Sequence, residues 1–139
     1  MSFQHTKMLD AVPANVEQVT PVLDTLKLSV ASMQFTLAGA TGPSLAIALQ
    51  GSNAVPPNGA WPNQGGTGVN AGWEVPEDSW VQIYSDSTAI ADTMTEDGTI
   101  LLGVAADGLL TRWLRGIATP TGGVGGTLTV EYFARSLGN

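Results

Sequence analysis

The sequence predicts an all-β protein: a β-sandwich or jelly-roll of about eight strands with an extended N-terminal arm. Three observations predict it. Short runs alternate apolar and polar residues with a period of two, as where Leu128, Val130 and Tyr132 interleave with Thr127, Thr129 and Glu131. Seventeen glycines and eight prolines in 139 residues punctuate those runs with turns. No segment carries the 3.6-residue period of an amphipathic helix over a useful length.

Taken in order, residues 1–14 read as the arm. Pro13 and Pro21 interrupt any helix across Met8–Leu26, because each removes a backbone donor. Phe3, Met8, Leu9 and Val12 are the apolar anchors of that arm and the candidate contacts with a neighbouring subunit or shell. Residues 15–139 form a single sandwich domain, a length that supports one substantial core. Strands are expected at Val16–Val22, Leu26–Val30, Met33–Leu37 and Leu45–Gln50, the last two flanking the Gly39–Pro43 turn as a hairpin. Ser52 to Gly72 is a Gly/Pro-rich loop, and connections longer than about 12–15 residues are usually functional or disordered. Trp61 in its middle either packs back on the domain or meets a partner. Further strands follow at Ser79–Ser85, Ala89–Met94 and Thr99–Ala105. A closing hairpin spans Leu109–Ser136, turning at Thr119–Gly126.

Composition excludes several functions. Five basic residues against twelve acidic ones give a net charge of −7, the wrong sign for neutralising phosphates, so nucleic acid is not an expected partner. No apolar run approaches the ~20 residues of a membrane span, and the N-terminus lacks a signal-peptide core, so synthesis in a cytoplasm is expected. The absence of cysteine removes disulfides and thiol chemistry. Charged residues make up only 12%, against an average of roughly 25%.

The chemistry-bearing residues point away from catalysis. The single histidine, His5, lies in the arm, which leaves no basis for a Ser-His-Asp triad or a histidine metal site. Glycine-rich Gly65–Ala71 and Thr121–Thr127 do not open a helix after a strand, and the second lacks a phosphate-binding lysine. Glu74, Glu77, Asp78, Asp86, Asp92, Glu96, Asp97 and Asp107 read as solvated turn acids, with calcium binding or a glycosidase pair as the alternatives. No catalytic residue, cofactor or metal is therefore assigned. Four tryptophans, Trp61, Trp73, Trp80 and Trp113, remain to be placed. Trp80 and Trp113 sit at strand positions that favour the core or a subunit contact, while exposed aromatics on a sandwich would stack on sugar rings.

Two segments resemble the structural proteins of tailed bacteriophages. Leu28–Ala54 is similar to a strand, turn and strand that end in Gln-Gly-Ser-Asn before a tryptophan-bearing loop. Gly108–Ser136 is similar to their closing hairpin, with Trp113, Arg115 and Arg135 at the matching positions. The resemblance implies a non-enzymatic virion component, foremost a capsid decoration or auxiliary head protein made in the host cytoplasm. It implies the major capsid protein or other virion proteins as partners, and a homo-oligomer, with a trimer favoured. The alternative is a carbohydrate-binding or receptor-binding module of a tail or fibre.

Overall fold

Alternating sequence becomes paired strand along most of the described chain. The computed structural model describes residues 2–25, 28–42, 44–56, 73–104, 111–122 and 125–136. Among these, twelve strands form: β1 (Ser2–Pro13), β2 (Gln18–Val19), β3 (Leu23–Asp24), β4 (Val30–Ala38), β5 (Ser44–Ser52), β6 (Val81–Gln82), β7 (Tyr84–Ser85), β8 (Thr88–Ala89), β9 (Ala91–Met94), β10 (Gly98–Val104), β11 (Trp113–Gly122) and β12 (Thr127–Ser136). The first sheet has the order β1-β12-β4-β10. The second has the order β2-β11-β5-β6, with β3 also on β11 and β9 also on β5. All the pairings are antiparallel. The expected all-β sandwich is the observed fold. The count exceeds about eight because runs expected to be continuous, such as Ser79–Ser85, break into strands of two residues.

Neither expected hairpin forms. β4 pairs with β12 and β10 in the first sheet, whereas β5 pairs with β11, β6 and β9 in the second. β11 and β12 are likewise split between the sheets. The physical reason is burial. Phe35 and Leu37 on β4 face the same core as Leu45, Ile47 and Leu49 on β5, and all five are essentially inaccessible. Crossing from sheet to sheet sets those rows face to face, where a hairpin would lay them side by side. The crossings are therefore arches, and they stand beside each other because β4 neighbours β12 while β5 neighbours β11.

Backbone contact locks the two corners together. Gly126 has φ +89°, and a Cβ on it would lie 2.4 Å from the Ala38 carbonyl oxygen and 2.7 Å from the Gly39 carbonyl carbon. The Gly126 carbonyl accepts a hydrogen bond from the Ala14 amide at 3.1 Å. Asp97 caps the other arch: its carboxylate accepts the Gly39 amide at 2.9 Å and the Ala40 amide at 2.8 Å. The Ala40 and Gly39 bonds hold its carboxyl below the usual aspartate range.

Between the sheets, Met33 and Phe35 of β4 and Leu128 and Val130 of β12 meet Leu45, Ile47 and Leu49 of β5 and Leu114 and Ala118 of β11. Gly116 on β11 makes this closeness possible. A Cβ there would stand 2.9 Å from Met33 Sδ and 3.0 Å from Phe35 Cζ. Removing a buried phenylalanine ring from such a packed site typically costs about 3–5 kcal/mol.

The N-terminal segment, expected as an extended arm, runs extended as β1 and pairs along β12 from Ser2↔Ser136 to Pro13↔Thr127. Its register shifts between Lys7 and Leu9 and again between Leu9 and Val12, where Ala11 takes φ +51° and its amide bonds Thr129 Oγ1 at 3.1 Å. Bulges of this kind roughen an edge strand against further pairing. β10, at the opposite edge, keeps an unbroken register with β4. The β7–β8 hairpin turns through Asp86 and Ser87, both at positive φ, as a two-residue turn of primed type requires.

The arch contact separates two adjacent glycines. Gly126→Ala places a methyl group against fixed backbone at a left-handed φ and is expected to lower unfolding stability by about 1–3 kcal/mol. Gly125→Ala meets only the Thr41 side chain, whose Oγ1 would lie 2.6 Å away and can rotate aside, so its loss should be smaller. Urea midpoints of the two variants decide the matter, and equal losses would contradict the stacked-arch arrangement.

Candidate functional site: an indole and carboxylate cleft

The outer face of the second sheet carries the largest concentration of polar chemistry among the described residues. On β11, Leu114, Gly116 and Ala118 turn inward, so Trp113 and Arg115 point outward. Both are nonetheless buried, at 5% exposure, because the segment from Trp73 to Trp80 lies over them. That segment is pinned by a single 3-10 turn at Glu77–Ser79, and Ser79 Oγ reaches the buried Ser52 Oγ at 2.8 Å.

Two arginine–carboxylate pairs organise this face. Arg115 donates Nη2 to Glu77 Oε1 at 2.7 Å, Nη1 to Glu77 Oε2 at 3.0 Å and Nε to Gln50 Oε1 at 2.9 Å. Its guanidinium stacks 4.5 Å from the centre of the Trp80 ring. Arg112 makes the parallel arrangement, with Nε and Nη2 on the two oxygens of Asp24 at 2.8 and 2.7 Å, and lies 4.6 Å from the Trp113 ring centre. Trp113 in turn donates Nε1 to the Ala54 carbonyl at 3.0 Å and meets Trp73 at a centroid distance of 6.0 Å. Gln50 is set opposite Arg115 by the β5–β11 register, which makes their contact a direct product of strand pairing.

The ion pair at Arg115 is lopsided. The arginine side chain is 6% exposed and the glutamate side chain 77% exposed. Solvent screens such a pair, so its main contribution is positional: a buried cation holds an exposed carboxylate in one place. The hydrogen bonds from Arg115, helped by its charge, keep the Glu77 carboxyl below the usual glutamate range. Beside this array lies an open cavity of about 370 Å³, between Val19–Asp24 on one side and Trp73–Trp80 on the other. Glu77, Trp80, Trp113 and Arg115 all contribute to its wall.

The contact residues expected from sequence lie elsewhere. Met8, Leu9 and Val12 are half-buried and pack against the chain's own core. Phe3 pairs through its backbone with Arg135 on β12. Trp61 lies outside the described residues. His5 faces Phe133 on the outer side of the first sheet, ring edge to ring at 6.4 Å. Trp113, expected in the core or at a subunit contact, is buried, apart from the inter-sheet cluster and beneath Trp73. The array of Glu77, Arg115 and Trp80 was not singled out in the sequence. Its one visible signal was an arginine inside the apolar run Trp113–Ala118, since a buried guanidinium demands a partner.

In class, the fold is an antiparallel β-sandwich with two sheet-to-sheet arches. No family model matches the chain, and no curated protein does. Among solved structures, the chain is similar to the crystal structure of the SPBc2 prophage-derived protein YomS, from a Bacillus phage. The likeness has a TM-score of 0.51 at 10% identity and covers 96% of this chain and 92% of that one. It establishes a shared fold. No helix among the described residues is long and apolar enough to cross a membrane.

The depressed carboxyls set an acid limit to stability. A group whose folded pKa lies below its unfolded value stabilises the fold above the unfolded value, about 4.3 for glutamate and 3.9 for aspartate, and loses that contribution as pH falls through the folded value. Melting temperature should therefore fall on acidification below about pH 5. Glu77→Gln and Asp97→Asn should each melt lower at neutral pH and show a flatter acid limb. An unchanged limb in both variants would contradict the assigned pairs.

Proposed function

We propose that the chain is a non-enzymatic structural component of a tailed-phage or prophage particle, of the capsid decoration type. The observation that carries this reading is the likeness of fold to a prophage-derived protein over nearly the whole of both chains. The resemblance of Leu28–Ala54 and Gly108–Ser136 to phage structural proteins supports it, because these segments contain both arches of the sandwich. In this role the chain binds the major capsid protein or other virion proteins as a homo-oligomer, with a trimer favoured. Attachment is adhesive, each contact contributing about 25 cal/mol per Å² of apolar surface buried, with many copies adding avidity. Phe3, Met8, Leu9, Val12 and Trp61 are the proposed contacts. Leu101 and Phe133, exposed at 63% and 39% on the outer face of the first sheet, join them.

A second reading, a carbohydrate-binding or receptor-binding module of a tail or fibre, is favoured by the cleft beside Glu77 and Trp80. Cryo-EM of native particles separates the two. Many copies on capsid lattice points are expected for decoration, and density confined to the tail tip would replace that reading with the second. Absence of the chain from purified particles, together with failure of the purified protein to bind empty shells, removes both particle roles.

A further inference from the structure

We infer that the cleft between Val19–Asp24 and Trp73–Trp80 is a binding site for a neutral saccharide. This deepens the second reading above by naming its site and ligand class. The cavity, at about 370 Å³, falls within the range of small-molecule sites, about 300–1,000 Å³. Its wall combines two kinds of group that few ligands satisfy together. Trp73 and Trp80 are half-buried indoles that line the cleft, and the Arg115 guanidinium stacks on the Trp80 ring. Around them stand the carboxylates of Asp24, Glu74 and Glu77.

An ionised carboxylate has about four acceptor positions, and a bidentate arginine occupies two of them. Glu77 is therefore both fixed and still able to accept. Its exposed side chain is held by an arginine that is itself more than nine-tenths buried, so little freedom is left to lose when a ligand binds. A pyranose matches this pairing: its C–H face stacks on an indole, and its adjacent hydroxyls donate to a carboxylate.

Other ligand classes fit less well. A wholly apolar ligand would strip water from the carboxylates without replacing their hydrogen bonds. Among the described residues that line the cleft the cation is Arg115, and it already spends Nε, Nη1 and Nη2 on Gln50 and Glu77. Glu74 and the net charge of −7 further repel an anionic ligand. The sugar is therefore uncharged.

The test uses the full chain, followed by tryptophan fluorescence and calorimetry. It is titrated with methyl pyranosides and neutral oligosaccharides of glucose, galactose, rhamnose and N-acetylglucosamine, with a sulfated oligosaccharide and a proline-rich peptide alongside. At least one neutral sugar should shift the fluorescence and bind saturably. Glu77→Gln and Trp73→Ala should each weaken that binding roughly tenfold or more, the usual cost of one hydrogen bond to a charged group or one stacking contact. Thr99→Ser on the opposite sheet, exposed and away from the cleft, should bind as the parent does. Circular dichroism confirms that each variant is folded, and Glu74→Gln replaces any that is not. Tight binding of the sulfated sugar or the peptide alone would overturn the inference, as would no saturable binding by any neutral sugar. Particle microscopy is independent of this result: loss of capsid binding with sugar binding intact removes only the decoration role, and the reverse removes only the site.

Discussion

The close approach of two chain reversals, at Ala38–Ala40 and at Gly126, is the contact on which the sandwich depends. Each reversal carries the chain from one sheet into the other, and each can do so only because its neighbour crosses at the same place. β4 and β12 share a ladder below the crossing, and β5 and β11 share one above it. The gap between the corners is set by backbone atoms, with no room for a Cβ at Gly126. Asp97 ties the corner to the start of β10 and the Ala14 amide ties it to the end of β1, so all four first-sheet strands converge there. A local clash at this point therefore propagates to both sheets.

Period-two alternation was enough to read the class of fold and the main strands from the sequence. Met33, Phe35 and Leu37, then Leu45, Ile47 and Leu49, announce their faces without help from any neighbour. Which strand pairs with which is a different matter, because a row of apolar residues specifies a face and says nothing of the sheet that face belongs to. A glycine-rich connection between two such rows serves a hairpin or an arch equally well, and proximity in sequence favoured the wrong one. The site was harder still to see. Glu77 and Arg115 are 38 positions apart, Asp24 and Arg112 88 apart, and only the folded register brings each pair to hydrogen-bond distance. The tryptophans were legible as functional candidates, but the carboxylates beside them looked like ordinary turn acids.

Buried charge on the outer face follows from the same geometry. An arginine on a central strand can escape neither sideways, where ladders run on both flanks, nor inward, where the core is apolar. It is satisfied from above, by Glu77 and Trp80, and from its flank by Gln50. Covering it drew the Trp73–Trp80 segment onto the sheet and left a cavity between that cover and the edge formed by β2 and β3. The cleft is thus a by-product of solvating one guanidinium with protein groups in place of water.

β11 divides its duties by parity. Even-numbered Leu114, Gly116 and Ala118 answer to the core, and odd-numbered Trp113 and Arg115 answer to the cleft. Substitution on the odd row can alter recognition while the even row goes on holding the sheets together, so the two properties are separable in evolution. Length is not separable in this way. One inserted residue would exchange the rows, driving a guanidinium into the core and a leucine onto the cleft wall. Lineages carrying this strand should tolerate a change of side chain on its odd-numbered row more readily than a change in its number of residues.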